Sequence, residues 1–254
     1  TILYDYLSHA SIRDGIRLSM AQSFSFKHND LEDLKKKIQK ASGQCFIVTE
    51  SVFSMDGDFC PLQDIVALAK EFNAHIIIDE AHATGVVGVQ GVGWVQACRL
   101  EKEIFARIHT FGKACGCHGA VVLGSERLRS YLINFARSLM YSTSLPESAI
   151  HAIHKSYELF PTMDLERNHL NNLVNQFQQA KIRFNKLVSD TAIQGIIVPG
   201  NSEVRALANM LQQEGFDIRP VLYPTVPAGA ERLRIVLHAF NSEEELQRLI
   251  SKLQ

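Results

Sequence analysis

Three apolar runs in this chain each end in residues able to do chemistry. Cys45–Thr49 leads into Glu50-Ser51-Val52-Phe53-Ser54-Met55-Asp56-Gly57-Asp58. Ile76–Ile78 leads into Asp79-Glu80-Ala81-His82, and the run from Ile104 to His109 leads into Thr110-Phe111-Gly112-Lys113. Ligands gather at the carboxyl ends of parallel strands, so a hydroxyl, an acid with an imidazole, and a threonine with a lysine are expected to converge. Two chemistries compete for Asp79-Glu80-Ala81-His82. The letters Asp-Glu-Ala-His occur in a class of nucleotide-driven helicases, where the acids would hold Mg²⁺ and activate water. That reading needs a phosphate loop, Gly-x-x-x-x-Gly-Lys-Ser/Thr. The only Gly-Lys here is Gly112-Lys113, which is followed by Ala114 and lies downstream of the acids. In the other reading Lys113, in a small-residue loop, forms a Schiff base with an aldehyde cofactor. Pyridoxal phosphate then requires a carboxylate for its pyridine nitrogen, a donor for its phenolic oxygen, and hydroxyl and N–H groups for its phosphate. Asp79, His82 and Thr110 fit these roles in turn.

The elements that must position these residues are legible as alternating β-rich apolar runs and amphipathic helical stretches. Strands are expected at 45–49, 76–79, 104–109 and 120–123, with helices over 61–72 and 126–137. Continuously apolar strands in a βαβ alternation predict an α/β fold with a mostly parallel sheet between helices. Residues 147–188 read as helical, with only Pro161 as punctuation. Beyond them a strand (193–198), a helix (202–214), two strands (217–222 and 232–238) and a final helix form a smaller α+β unit. Ser242 and Glu245 spell a capping box at the start of that last helix. The pattern divides the chain into a large domain over 1–150 and a small C-terminal domain over 151–254, with a soft boundary.

Composition narrows the function classes. The 254 residues are 46% hydrophobic and carry 26 basic and 27 acidic side chains, a net charge of −1, which gives no global support for nucleic-acid binding. The run lacks a stretch of about 18 apolar residues, so no membrane span is expected, and no secretory leader is visible at its start. Five irregularly spaced cysteines read as free thiols of a reducing, cytoplasmic environment. Cys115-x-Cys117-His118 lacks zinc-ligand spacing, so no metal site is expected. Lys35-Lys36-Lys37 reads as a solvated helix face, and Asp30 or Asn29 as the cap of a helix start. The first residue is Thr1, and Ile2-Leu3-Tyr4-Asp5 already reads as a strand running into a functional loop, so a further N-terminal portion is expected to precede this sequence.

Taken in order, Ser8-His9-Ala10-Ser11, Val52-Phe53-Ser54-Met55-Asp56-Gly57-Asp58, Asp79-Glu80-Ala81-His82-Ala83-Thr84-Gly85, Thr110-Phe111-Gly112-Lys113 and Tyr141-Ser142-Thr143-Ser144-Leu145-Pro146 resemble the α-oxoamine synthase family over essentially the whole chain. These are fold-type-I pyridoxal-phosphate enzymes, which join an amino acid to an acyl thioester with loss of CO₂. The single glycines of Ala114–Ala120, the Tyr141–Pro146 run and Pro224–Gly229 before Arg232-Leu233-Arg234 are most similar to members that use L-alanine and a pimeloyl thioester, on CoA or acyl-carrier protein, in biotin biosynthesis. Members that pair glycine with an acetyl group or serine with a palmitoyl group are the alternatives.

The resemblance implies that Lys113 carries the cofactor and moves the substrate proton, Asp79 pairs with the pyridine nitrogen, and His82 meets the phenolic oxygen. By the same resemblance His9 stacks on the ring, Ser54 lies near that oxygen, and Thr110 helps to bind phosphate. Ser142 and Thr143 reach the phosphate of the neighbouring subunit in a homodimer with shared sites, and Arg234 holds the amino-acid carboxylate. Strand alternation alone does not separate Arg234 from Arg232, since both point to one face. In this reading Glu80 becomes a supporting residue.

Overall fold

A computed structural model describes residues Thr1–Gln254, which form two compact units. The first comprises Thr1–Phe53 and Phe59–Asp164. Its elements run β1 (Ile2–Asp5), α1 (Ala10–Leu18), β2 (Ser23–Phe26), α2 (Leu31–Ile38), β3 (Phe46–Glu50), α3 (Leu62–Glu71), β4 (His75–Asp79), α4 (Trp94–Ala97), β5 (Ala106–Thr110), β6 (Ala120–Gly124), α5 (Glu126–Phe135), α6 (Arg137–Met140) and α7 (Glu147–Leu159). The sheet order is β2-β1-β3-β4-β5-β6. All pairs are parallel except β5 with β6. This is the mostly parallel α/β sheet that the apolar runs predict.

Side chains alternate across the sheet, and the two faces differ. Leu3, Ile47, Ile76 and Ile78 face one way and are fully or almost fully buried, in one core with Leu34 and Ile38 of α2 and Leu62 and Ile65 of α3. Burying side chains of this size contributes about 1.5–3 kcal/mol each before entropy is counted. Asp30 caps α2 by accepting the Asp33 N–H at 2.9 Å, as its place in the sequence predicts. The sequence reading did not foresee α1 or β2. Both are short, so each offers few repeats to read, although α1 is amphipathic and Ser23-Phe24-Ser25-Phe26 alternates polar with apolar at the sheet edge. The first unit runs to Asp164, so α7 stays with it.

The second unit comprises Ser54–Asp58 and Leu165–Gln254. It contains α8 (Asp164–Gln179), β7 (Asn185–Lys186), β8 (Ile193–Ile197), α9 (Asn201–Gln213), β9 (Arg219–Val221), β10 (Arg232–Val236) and α10 (Glu243–Leu253). Its sheet is antiparallel, in the order β7-β8-β10-β9. Phe177, Ile196, Leu211, Leu233 and Leu253 are fully buried and supply its core. The capping box of α10 forms as read, with the Glu245 N–H donating to Ser242 Oγ at 3.1 Å and the Ser242 N–H to Glu245 Oε2 at 3.0 Å.

The helical stretch expected over 147–188 is interrupted. A single 3₁₀ turn at Phe160–Thr162 separates α7 from α8, because Pro161 has no N–H to continue the ladder. The far end is closed by Lys186, whose ammonium donates to the carbonyls of Phe177, Gln178 and Ala180 at 2.8, 2.7 and 2.6 Å. A cation on these terminal carbonyls ends the helix and leaves Asn185–Lys186 free to pair as a strand.

Candidate cofactor site

The carboxyl ends of β1, β3, β4 and β5 carry the ionisable groups of the first unit's sheet edge. Asp79 ends β4 and its Oδ1 accepts the Ala81 N–H at 2.8 Å. Burial pushes the Asp79 carboxyl up; the Ala81 N–H and then the charges of Lys113 and His9 oppose this, and Glu80 adds to it. The carboxylate makes no ion pair, so it sits in a position whose desolvation an arriving cation would offset. Lys113 is exposed, and its amine makes no hydrogen bond or ion pair, on a loop that is itself well fixed. The Phe111 N–H donates to the Gly119 carbonyl, the Cys117 N–H to the Phe111 carbonyl, and the Gly116 N–H to the Lys113 carbonyl, at 2.8–2.9 Å. Phe111 and Cys115 are buried beneath it, and Ser156 Oγ donates to the Cys115 carbonyl at 2.8 Å. A free amine on a braced loop suits a residue that must form and release a covalent bond.

Register decides which residues share the Asp79 face. Asp79 pairs with Glu50 of β3 and with Ile108 of β5, so Ile108 and Thr110 lie on its side. The Thr110 hydroxyl is buried and has no partner, a vacancy in hydrogen bonding that a ligand oxygen would fill. His82 follows in the turn after β4 and is half buried. His9 is the N-cap of α1; its Nδ1 accepts the Ser11 N–H at 3.2 Å and lies 2.8 Å from Ser11 Oγ. Ser142 and Thr143 are exposed beyond α6, and Ser142 Oγ donates to the Ser138 carbonyl at 2.6 Å.

Ser54 and Arg234 belong to the second unit. Arg234, on β10, is partly buried, and its Nε donates to the Ser54 carbonyl at 2.6 Å. Burial lowers its pKa. Arg232 is buried, donates from Nε to the Ala230 carbonyl at 3.0 Å, and is ion-paired with Asp56. The sequence left these two arginines open. In the structure Arg232 has its partners within the fold, whereas the two terminal nitrogens of Arg234 make no hydrogen bond or ion pair.

Two buried carboxylates had no assigned role in the sequence. Glu50 ends β3 and is 3% exposed; its Oε1 accepts the His9 main-chain N–H at 2.6 Å. Asp5 ends β1 and is fully buried, accepting the Leu7 and Asn29 N–H groups at 2.8 and 3.0 Å with His28 Nδ1 at 3.0 Å. The signal was available: each is the polar residue that closes an apolar strand, as Asp79 is.

Glu80 points to the opposite face and is fully buried. Its Oε1 accepts the Val95 N–H at 2.9 Å, and its Oε2 lies 3.2 Å from His109 Nε2 and 4.0 Å from the Arg107 guanidinium. Gly93 has a positive φ, and a Cβ there would lie 3.0 Å from this carboxylate. A cavity of about 400 Å³, lined among others by Arg107, His109, Tyr157 and Phe160, opens on the same face as Arg107 and His109, opposite to Asp79. Glu80 therefore supports the loop after β4 and is not placed to activate water beside Asp79, which removes the helicase reading's catalytic base.

The aminotransferase class I and II family model matches residues 1–253. An 8-amino-7-oxononanoate synthase from Stutzerimonas stutzeri (strain A1501) is 40% identical over 256 residues, covering 100% of this chain and 65% of the relative. The crystal structure of 8-amino-7-oxononanoate synthase from Francisella tularensis superposes with a TM-score of 0.85 at 29% identity, covering 99% of this chain and 73% of that one. A lysine-to-alanine variant of a serine palmitoyltransferase from S. paucimobilis, solved with a bound PLP–myriocin aldimine, gives 0.90 at 26% identity over 99% of this chain and 65% of that one. The chain thus spans about two thirds of the length of the curated relatives it matches. These relatives agree with the resemblance to α-oxoamine synthases, and the fold is that of fold-type-I PLP transferases. With a family match running from the first residue almost to the last, over a sheet of the matching topology, the chain belongs to the aminotransferase class I and II family.

Proposed function

We propose that this protein is a pyridoxal-phosphate-dependent acyltransferase that condenses L-alanine with a pimeloyl thioester, on CoA or acyl-carrier protein, in biotin biosynthesis. The products are 8-amino-7-oxononanoate, CO₂ and free thiol. The observation that carries this is the 40% identity, over the full length of the chain, to a protein of that name. Pyridoxal phosphate, when bound, supplies an electron sink for the bond that breaks at the substrate Cα. The residues present fit it: a half-buried carboxylate without an ion pair at Asp79, an amine without a partner at Lys113, and an orphaned hydroxyl at Thr110.

In this reading Lys113 holds the cofactor covalently and, once released, takes the proton from the substrate Cα as general base. Asp79 keeps the pyridine nitrogen protonated. His82 and Ser54 serve the phenolic oxygen, and His9 covers the ring. Arg234 offers its terminal nitrogens to the amino-acid carboxylate in a bidentate fork. Thr110, together with Ser142 and Thr143 of the neighbouring subunit, serves the phosphate.

A homodimer in the cytoplasm completes the proposal. The helices α5, α6 and α7 contain no buried residue and expose Tyr131, Ile133, Phe135, Leu139 and Ile150, which is the composition of a face awaiting a partner. No helix is long and apolar enough to cross a membrane. Discrimination by one methyl is worth only about 1–3 kcal/mol, so substrate choice is tested with a panel. Turnover with alanine and pimeloyl-CoA should exceed that with glycine and acetyl-CoA or serine and palmitoyl-CoA. Faster turnover with either other pair replaces the biotin reading with that of the corresponding relative.

A further inference from the structure

Glu50 is buried at 3% exposure, in register with Asp79 on the face that carries the proposed cofactor. A carboxylate in such a place needs a structural return for its desolvation. Its one hydrogen bond is to a main chain: Oε1 accepts the His9 N–H at 2.6 Å across 41 residues of sequence. His9 is then fixed from a second side, because its ring Nδ1 accepts the Ser11 N–H. The turn before it is pinned by Asp5, which accepts the Leu7 N–H. The segment Leu7–Ser11 thus hangs on two buried strand-end carboxylates, and Glu50 is the one that reaches the residue bearing the imidazole.

We propose that Glu50 is a positioning residue, which fixes His9 through its main-chain N–H and so presets the imidazole that covers the cofactor ring. The role of His9 toward the ring rests on the pyridoxal-phosphate reading; the hydrogen bond and its effect on the segment do not. The electrostatics agree with such a role. Burial pushes the Glu50 carboxyl up to about 8, against the His9 N–H; Asp79 and Asp5 add to the rise and Lys113 opposes it. The group can therefore serve as an uncharged acceptor near neutral pH, without burying a second anion beside Asp79.

Two variants separate this role from bulk. Glu50→Gln keeps an oxygen acceptor of the same reach, and Glu50→Met fills the space without one. Amide hydrogen exchange is read at His9 in the cofactor-free full chain, and the dissociation constant for pyridoxal phosphate is read by absorbance titration. Glu50→Met is expected to speed exchange at His9 by about tenfold and to weaken the cofactor by a similar factor, while Glu50→Gln stays within about threefold of the parent in both. In a His9→Ala background the effect of Glu50→Met on affinity should largely vanish. Unchanged His9 exchange in Glu50→Met overturns the proposal, as does a Glu50→Gln protein that behaves like Glu50→Met. An undiminished affinity loss in the His9→Ala background places the action of Glu50 elsewhere and also overturns it. Should the parent protein not bind pyridoxal phosphate at all, the exchange measurement still decides the positioning role, so the two readings fail separately.

Discussion

At the scale of single residues, position on the sheet decides the roles of neighbouring acids. Asp79 and Glu80 are adjacent in sequence, yet one faces the candidate site and the other a buried cluster with Arg107 and His109. The chain direction on leaving β4 makes that separation, and the Val95 N–H and His109 hold Glu80 away from Asp79. Glu50 adds a pH signature. Its carboxyl is raised from an ordinary value of 4.5 to about 8, so the folded state binds a proton that the unfolded chain has released in that window. The stabilisation is complete below about pH 4.5 and is lost as pH rises through 8. Urea denaturation of the parent and of Glu50→Gln at pH 5 and pH 9 should therefore show the parent losing stability relative to the variant at the higher pH. The expected change is on the order of a few kcal/mol; a pH-independent difference would contradict the burial of an ionisable group there.

At the scale of elements, loops between well-formed strands and helices carry the constraints. Gly57 has φ +76°, and a Cβ on it would collide with the Ile193 carbonyl oxygen, while its own carbonyl accepts from Ser189 and Thr191 Oγ at 2.9 and 2.8 Å. Gly57→Ala should destabilise the second unit by about 2 kcal/mol or more, seen as a lowered urea midpoint. Ser242→Ala, which breaks the capping box of α10, should cost about 1 kcal/mol in the same assay. Much of this was legible in sequence. The strand end at Asp79, the α10 capping box and the cap at Asp30 are encoded by neighbours a few residues apart, whereas the strand expected to end at His109 runs one residue further, to Thr110. Pro161 was visible as punctuation, but the closure of α8 by Lys186 was not, because it depends on a lysine reaching back over the carbonyls of Phe177, Gln178 and Ala180 at the end of a helix it does not belong to. The hold of Glu50 on His9 was hidden for the same reason: it joins residues 41 apart through a main-chain group with no side-chain signature. The Ser54–Asp58 segment, placed within the second unit although it follows β3 directly, is likewise a product of tertiary contact.

At the scale of the whole molecule, the bare face of α5–α7 and the proposed cofactor are the two features that reach beyond this chain. If that face joins two copies, Leu139→Glu should weaken self-association by at least about tenfold in sedimentation equilibrium. Equal association by the variant would move the interface elsewhere. The central claim is that Lys113 binds pyridoxal phosphate covalently, and one measurement addresses it directly. The purified full chain is incubated with pyridoxal phosphate, reduced with borohydride, digested, and mapped by mass spectrometry. A single phosphopyridoxyl modification is expected, on Lys113, together with loss of the visible cofactor band, and no stoichiometric modification in Lys113→Ala. Stoichiometric modification of another lysine, or equal labelling of the Lys113→Ala protein, would contradict it.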